Sequence, residues 1–338
     1  MKVAILAHEQ FPERAKTAVG VLRYGDHDVV AVLDRDRAGQ RVADVLPDVQ
    51  DAPIVAGVAD VDRPFDALLV GIAPIGGGFE ESWRPDVRAA LERGCDVVSG
   101  LHYFLADDAE FRALAEEHGC ELRDVRRPPD DLTVAEGRAA DVDADVVLTV
   151  GTDCSTGKMT ASVELVEAAR ERGFDAAFVP TGQTGILIED WGIPVDRTAA
   201  DFTAGAVERM VRERGDDHDL LVVEGQGSIV HPAYSAVTCG ILHGAMPEAL
   251  VLCHEVGREA VHGYESFPIP PVSEVASLYE CLARPVRTSS VVAGCLNTSS
   301  LEGTEAARDA LTAYGDAIDA PATDPVRFDA GEILDAVY

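Results

Sequence analysis

Lysine is almost absent from this sequence. The chain of 338 residues carries 28 basic residues, and only three of these are lysines: Lys2, Lys16 and Lys158. Acidic residues number 60, which gives a net charge of −32, and they are spread along the whole chain. Nucleic acids and anionic membranes bind basic patches, so we expect neither as a partner. Salt screens the self-repulsion of such a charge, and the composition therefore predicts a protein adapted to high salt, of haloarchaeal origin.

Long apolar runs and paired cysteines are lacking as well. No stretch approaches the roughly 18–20 apolar residues that a membrane-spanning helix needs. The apolar segment Met1–His8 is too short for a signal peptide. The 7 cysteines include no Cys-x-x-Cys pair, which argues against a disulfide framework and against a zinc site. Because 47% of the residues are hydrophobic, we expect a globular protein with a sizeable core. The lack of a membrane-spanning run and of a signal peptide predicts a location in the cytoplasm.

Short apolar strands alternate with helix-like stretches along the whole chain. Continuous Val, Ile and Leu runs between helices are typical of parallel sheets covered on both faces. The polar, proline-containing stretch Arg127–Asp131 interrupts the series, and it predicts a boundary between α/β domains at residues 1–130 and 131–338. The predicted strands are Lys2–Ala7, Asp28–Leu33, Asp66–Gly71, Asp96–Ser99 and Glu121–Val125, then Asp145–Val150, Ala176–Pro180, Asp219–Glu224, Ala249–His254 and Val291–Asn297.

A glycine-rich loop follows the first strand of the second domain. Five residues separate Gly151 from Gly157-Lys158, one more than in the usual P-loop pattern, and Thr160 comes one place late. Amides of such a loop and the helix N-terminus bind phosphate, to which Lys158 would add a charge and Thr156 or Thr160 a hydroxyl. Whether the phosphates belong to a nucleotide or a coenzyme stays open. The predicted cofactor-binding residues are Gly151, Thr152, Asp153, Cys154, Ser155, Thr156, Gly157, Lys158, Met159 and Thr160.

Polar residues follow the other predicted strands at the same edge of the sheet, where open α/β sheets bind ligands. Glu224 ends a buried strand, where P-loop proteins place a magnesium ligand or a base, and His231 is a second candidate for direct chemistry. The irregular stretch Gly225–Met246 is predicted to be a site-bearing loop, and residues 71–78 a lid or interface loop. The predicted substrate-binding residues are Thr181, Gln183, Thr184, Arg197, Gln226, Ser228 and Arg258.

The whole chain resembles the DUF1611 family of two-domain P-loop proteins. The similarity includes Ala15–Ala18, Val98–His102, the phosphate loop, Glu224–Ser228 and His231–Ser235. It implies a Rossmann-like N-terminal domain and a P-loop NTPase-like, doubly wound C-terminal domain. The phosphate loop is also similar to the Gly-Thr-Asp-Thr-x-x-Gly-Lys opening of dethiobiotin synthetase, which would account for the second half of the chain only.

The resemblance to DUF1611 implies a function as well. Members are reported as D-glutamate N-acetyltransferases, which take acetyl-CoA and supply an enolase-superfamily partner enzyme. On this hypothesis the loop holds coenzyme phosphates, Glu224 or His231 is the base, and Arg197 and Arg258 bind the substrate carboxylates. One alternative is a ligase or kinase of the dethiobiotin-synthetase type, with ATP and a magnesium ion held by Thr160 and Glu224. Another is a non-catalytic nucleotide-binding regulator. We expect a small amino-acid substrate and a homo-oligomer.

Overall fold

The chain divides into two compact units. The computed structural model describes residues 1–72, 74 and 77–337. The first unit comprises Met1–Pro128 and Gln183–Pro194, and the second comprises Pro129–Gly182 and Val195–Tyr338. The predicted boundary at residue 130 did not anticipate that the segment Gln183–Pro194 returns to the first unit. The predicted lid or interface loop at residues 71–78 lies partly outside the described residues.

The first unit is a parallel-sheet domain. Its strands are β1 (Lys2–Leu6), β2 (Asp28–Leu33), β3 (Ile54–Val55), β4 (Ala67–Val70), β5 (Asp96–Ser99) and β6 (Leu122–Asp124). Its N-terminal helices are α1 (Lys16–Tyr24), α2 (Val42–Val45), α3 (Arg84–Glu92) and α4 (Ala109–His118). The strands pair in the order β3-β2-β1-β4-β5-β6, and every pair is parallel.

Local sequence explains where these elements begin and end. Val3–Leu6 of β1 is wholly buried, as expected of a strand covered on both faces. At the start of α4, the Asp108 carboxylate accepts hydrogen bonds from the amides of Glu110 and Phe111 at 2.9 and 3.2 Å, a regular N-cap. The helix ends at Gly119, whose φ of 70° lies in the left-handed region that glycine favours.

The second unit is also built on a six-stranded parallel sheet. Its strands are β7 (Asp145–Gly151), β8 (Ala176–Val179), β9 (Leu220–Val223), β10 (Ala249–Glu255), β11 (Ala260–Val261), β12 (Tyr264–Pro268), β13 (Ser290–Asn297) and β14 (Ala322–Thr323). The helices that follow β7 in the chain are α5 (Lys158–Glu171), α6 (Gln183–Glu189), α7 (Thr203–Arg214), α8 (Ser235–Ala245), α9 (Val272–Ala283), α10 (Thr304–Ile318) and α11 (Gly331–Val337). Of these, α6 belongs to the first unit.

The sheet of the second unit has the order β14-β13-β10-β7-β9-β8, while β11 and β12 form a separate antiparallel hairpin. β7, which leads into the glycine-rich loop, lies in the interior between β10 and β9. The predicted fold class, an α/β protein with two parallel sheets, is confirmed. No helix in the described part of the chain has the length and apolar character needed to cross a bilayer.

One predicted loop contains a helix. The stretch Gly225–Met246, predicted to be irregular throughout, is irregular only as far as Tyr234, because its second half is α8. Glycine and serine obscured the helical pattern of α8, whose buried side follows the spacing of one helix face. The buried residues on that face are Thr238, Ile241, Leu242 and Ala245.

Helices α7 and α8 pack closely because α8 presents glycine to α7. A Cβ atom at Gly244 would lie 2.4 Å from the carbonyl oxygen of Ala204, which belongs to the backbone and cannot rotate away. The close approach of the two helices therefore depends on the absence of a side chain at this position.

We predict that Gly244→Ala lowers the free energy of unfolding by about 1–3 kcal/mol, since overpacking outweighs the roughly 1 kcal/mol by which alanine favours a helix over glycine. Denaturant titration measures the difference. Gly78→Ala is the control, because a Cβ atom there has no neighbour within 4 Å. Equal stability of the two variants would contradict the packing argument.

Candidate active site

The glycine-rich loop connects β7 to the N-terminus of α5. Ser155 and Gly157 adopt left-handed conformations with φ values of 56° and 97°, which reverse the chain between the strand and the helix. α5 then begins at Lys158. The first amides of a helix have no partners within the helix and carry the positive end of its dipole. The loop therefore has the geometry of an anion-binding site.

Lys158 folds into this loop. Its side chain is buried, and Nζ donates to the carbonyl oxygen of Asp153 at 2.7 Å and approaches Oγ1 of Thr156 at 3.4 Å. A Cβ atom at Gly151 would lie 2.8 Å from both Nζ and that hydroxyl, so glycine makes room for the ammonium group. An anion bound by the loop would meet a positive charge that is already in place.

The carboxylate of Asp153 is fully buried. Oδ1 accepts from the amide of Cys154 at 2.7 Å, and Oδ2 accepts from the amide of His262 at 2.8 Å. Oδ2 also accepts from Arg258 Nη1 at 3.1 Å. A buried carboxylate needs such partners to compensate for lost hydration. Asp153 thus ties the phosphate loop to the segment that carries the β11–β12 hairpin.

Arg258 binds groups of its own chain in this structure. Besides contacting Asp153, it donates to the carbonyl oxygen of Cys154 at 2.8 Å and forms an ion pair with Glu255. Its guanidinium group is therefore engaged by two carboxylates of the protein. The predicted role of Arg258 in binding a substrate carboxylate stays a prediction, and it requires exchange of one of these partners.

Glu224 follows β9 and is buried beside the loop strand. Its Oε2 accepts from the amides of Thr181 and Gly182, both at 3.0 Å, and its own carbonyl oxygen accepts from Thr181 Oγ1 at 2.7 Å. The next residue, Gly225, donates its amide to Thr149 Oγ1 of β7 at 3.1 Å. A Cβ atom on Gly225 would lie 1.8 Å from the Thr149 carbonyl oxygen, so only glycine allows the chain to pass here.

Tyr279 of α9 connects two loops of the site through its hydroxyl group. Its hydroxyl donates to the carbonyl oxygen of Gly151 at 2.8 Å and accepts from the amide of Ile229 at 3.0 Å, and Ser228 is a further partner. Burial raises the pKa of Tyr279 to about 12, so the hydroxyl keeps its proton at neutral pH. The sequence did not point to Tyr279, because a tyrosine at helical spacing is indistinguishable from a core residue.

His231 is buried close to the loop. Its Nδ1 accepts hydrogen bonds from the amides of Ala233 and Tyr234 at 3.0 and 3.2 Å. Burial lowers the pKa of His231, an effect that nearby Asp153 opposes and Lys158 reinforces. The imidazole is therefore neutral at pH 7.

Within the part of the chain that the structure describes, one group of three side chains has the composition of a metal site. Ligand atoms of Asp153, Cys154 and His231 lie within 4.8 Å of one another, and thiolate, imidazole and carboxylate are ligands of zinc. Because Nδ1 of His231 accepts two amide protons, its ring proton resides on Nε2, and no lone pair remains for a metal. This group does not include Thr160 or Glu224, and the magnesium site predicted at those two residues stays a prediction.

The other predicted residues lie in different surroundings. Thr160 and Met159 belong to the first turn of α5, while Gln226 is half-buried after β9 and its carbonyl oxygen accepts from Thr238 at 2.7 Å. Arg197 is exposed in a short turn of the second unit. Gln183 and Thr184 begin α6 of the first unit, where Thr184 Oγ1 lies 2.9 Å from Thr17 Oγ1.

Two further contacts at the loop have no counterpart in the sequence pattern. The Asp153 carboxylate binds His262 through its backbone amide, a contact that no residue pattern reveals. Thr152 Oγ1 lies 2.7 Å from Nδ1 of His254, whose pKa is lowered to about 4 by burial and by the neighbouring charge of Arg258. The position of His254 near the end of β10 makes it a candidate site residue from the sequence, but its contact with Thr152 is visible only in the structure.

Comparison with known proteins agrees with this architecture. Residues 133–334 match DUF1611_C, described as a P-loop domain of unknown function, and residues 35–128 match DUF1611_N, described as a Rossmann-like domain of unknown function. The chain belongs to the DUF1611 family. A crystal structure of a DUF1611 family protein from Anabaena variabilis superposes with a TM-score of 0.94 at 40% identity, covering 99% of this chain and 98% of that one.

Two curated relatives of this DUF1611 chain carry a functional name. Both are named D-glutamate N-acetyltransferase. The protein from Tritonibacter scottomollicae is 39% identical over 272 residues, which is 80% of each chain. The protein from a Pseudoalteromonas species is 36% identical over 264 residues, which is 77% of each chain. The predicted family and the character of its two domains are confirmed.

We predict that Tyr279→Phe destabilises this DUF1611 protein by about 1–3 kcal/mol, because it removes the hydroxyl partner of Gly151 and Ile229 together. Denaturant titration gives the change in unfolding free energy. Tyr314→Phe is the matched control, since that buried hydroxyl makes one backbone contact, to Leu252 at 2.9 Å. The bridging role would be contradicted if both variants lost the same free energy.

Proposed function

We propose that this DUF1611 protein transfers the acetyl group of acetyl-CoA to the amine of D-glutamate and so forms N-acetyl-D-glutamate. The observation that carries the proposal is the shared name of the two relatives, which are 39% and 36% identical over 80% and 77% of this chain. The glycine-rich loop with its buried lysine supports a donor that bears phosphate groups.

The loop suits a coenzyme whose phosphates are held but not cleaved. Coenzyme A needs a cradle for its phosphates, and the loop amides with Lys158 supply one. Thr160 comes one place later than the hydroxyl that binds magnesium in the usual P-loop pattern. This displacement favours binding of coenzyme phosphates over nucleotide hydrolysis.

Acetyl transfer needs a base and a group that stabilises negative charge. The substrate ammonium loses a proton, its nitrogen attacks the thioester carbonyl, and the carbon–sulfur bond breaks as CoA leaves and takes up a proton. Glu224 is our candidate for the base, because two amides hold its carboxylate in a fixed position beside the loop. Backbone amides of Gln226–Ser228 are candidates for binding the oxyanion, whereas that of Gly225 is bound to Thr149.

The substrate has two carboxylates, and arginine is the residue that binds carboxylates with two parallel hydrogen bonds. Arg258 and Arg197 remain our candidates. Arg258 lies at the loop and would exchange Glu255 or Asp153 for the substrate, whereas Arg197 is exposed.

A second candidate function is an ATP- and magnesium-dependent ligase or kinase. The position of Glu224 favours it, since β9 pairs with the loop strand β7 and P-loop NTPases hold magnesium with an acid at the end of such a strand. The two functions differ in the donor and in the product released. A nucleotide-binding regulator would bind either donor without turnover.

One assay separates these functions. Purified protein in molar salt is incubated with D-glutamate and either acetyl-CoA or Mg-ATP, while free thiol and ADP are followed. We expect thiol release with acetyl-CoA and D-glutamate together, and no ADP. L-glutamate serves as the control for stereochemistry. Absence of thiol release with any D- or L-amino acid would refute the acetyltransferase proposal, and ADP formation would favour the ligase or kinase.

We predict that Lys158→Ala raises the KM for acetyl-CoA by roughly tenfold to a hundredfold, because a charge-assisted hydrogen bond to phosphate is lost. Lys16→Ala is the control, since it removes another of the three lysines from an exposed position of the first unit. Steady-state kinetics at saturating D-glutamate measures the effect. If KM is the same in both variants, the loop does not bind the donor phosphates.

Two further expectations belong to this proposal. An enolase-superfamily enzyme would consume the N-acetyl-D-glutamate, and the protein would assemble as a homo-oligomer. Both rest on the family resemblance alone and stay predictions.

A further inference from the structure

The hydrogen bonds of His231 determine which of its ring nitrogens carries the proton. Nδ1 accepts from the amides of Ala233 and Tyr234 at 3.0 and 3.2 Å. An amide donor needs a lone pair, so Nδ1 is unprotonated and the proton of the neutral ring resides on Nε2. In this arrangement Nε2 donates a hydrogen bond and has no lone pair with which to accept a proton.

The surroundings keep the ring in this state. His231 is 2% exposed, and the rings of Tyr234 and Tyr264 lie 4.7 and 5.1 Å from its centroid. Burial lowers the pKa of His231, so the neutral form prevails at pH 7. Full protonation would also place a proton on Nδ1 against the two amide donors. The ring orientation and the tautomer are thus set by the backbone turn that follows His231.

The imidazole ring of His231 lies beside the phosphate loop. One of its ring nitrogens lies within 4.8 Å of ligand atoms of Asp153 and Cys154, which are both loop residues. Both carboxylate oxygens of Asp153 already accept backbone amides. Among the described residues no acceptor binds Nε2 of His231, so its proton is available for a ligand.

We propose that His231 donates a hydrogen bond from Nε2 to a phosphate oxygen of the ligand bound at the loop, and that it does not act as the general base. This inference rests on the proposed function in one respect, namely that a phosphate-bearing ligand occupies the loop. A phosphate oxygen is favoured over an acyl oxyanion because the neighbours of His231 are the loop residues themselves. This donor adds to Lys158 and the loop amides. A hydrogen bond to a charged phosphate oxygen is stronger than one to a neutral acceptor.

A pair of substitutions separates the two ring nitrogens. In His231→Asn the side-chain oxygen takes the place of Nδ1 and preserves the turn, while the donor at Nε2 is lost. In His231→Gln the side-chain NH₂ reaches the place of Nε2. We predict that the Asn variant binds coenzyme A roughly tenfold to a hundredfold more weakly in calorimetric titration, whereas the Gln variant binds within a few-fold of the wild type. Thermal unfolding of the Asn variant reports whether the turn is preserved.

The same variants separate a donor from a base. A base would be lost in both variants, so equal loss of kcat in the two would overturn the proposal. A fall in kcat of the Asn variant with unchanged affinity for coenzyme A would assign the hydrogen bond to the acyl oxyanion, and this result would also overturn it. Between about pH 5.5 and 7.5 an ordinary histidine and the phosphate monoester of coenzyme A both titrate, so coenzyme A affinity should change with pH equally in the wild type and in the Gln variant if His231 stays neutral. The groups facing His231 that enter this comparison are Asp153, Cys154, Lys158, Tyr234 and Tyr264.

Binding measurements keep this inference distinct from the proposed function. Coenzyme A, ATP and pyrophosphate are titrated separately into the wild type and both variants. Suppose that ATP or pyrophosphate binds more tightly to the Gln variant than to the Asn variant, while acetyl transfer is absent. The proposed function then fails and the role of His231 stands. If acetyl transfer occurs and both variants bind coenzyme A equally well, the role of His231 fails and the function stands. If none of the three ligands binds, both fail.

Discussion

A single buried carboxylate holds the candidate site together. Asp153 has no contact with solvent, and an ionised group in that position is tolerated only when protein groups replace its water. Its partners come from the loop itself, from Arg258 and from the backbone of His262. This carboxylate therefore connects the phosphate loop to Arg258 and to the β11–β12 hairpin.

Other polar groups of the site follow the same rule. Glu224 binds the two amides that follow β8, and Tyr279 binds backbone groups of the glycine loop and of the loop after β9. Each of these side chains connects segments that are distant in the sequence and adjacent in the sheet. Loop amides held in this way need little rearrangement when a ligand binds, which is the condition for effective electrostatic stabilisation.

His231 shows how hydrogen bonds assign a role that residue type leaves undecided. An imidazole can be a base, a donor or a metal ligand, and its two nitrogens decide among these roles. Here the amides of Ala233 and Tyr234 occupy Nδ1. The sequence interpretation of His231 as a base, and the metal-like grouping with Asp153 and Cys154, both require a lone pair that this arrangement removes.

The elements that were predicted correctly are those with a strong local signal. The buried strands consist of continuous apolar runs, and the glycine-rich loop follows the strand at Gly151 with a lysine that is rare elsewhere in the chain. The helix α8 was missed because glycine and serine weaken its local pattern, although one of its faces is buried. The return of Gln183–Pro194 to the first unit has no local signal, because it depends on contacts with residues far away in the chain.

The order of residues alone defined the α/β class, the phosphate loop and the acid at the end of β9, since periodicity, glycine spacing and strand-end position are local properties. The structure decided what surrounds them. Tyr279 lies 128 residues from Gly151, and no pattern in the sequence predicts their hydrogen bond. Contacts of this kind arise from packing of helices against a sheet, and the tautomer of His231 depends on where two backbone amides point. Local pattern therefore located the site, and tertiary packing determined the chemistry of the side chains within it.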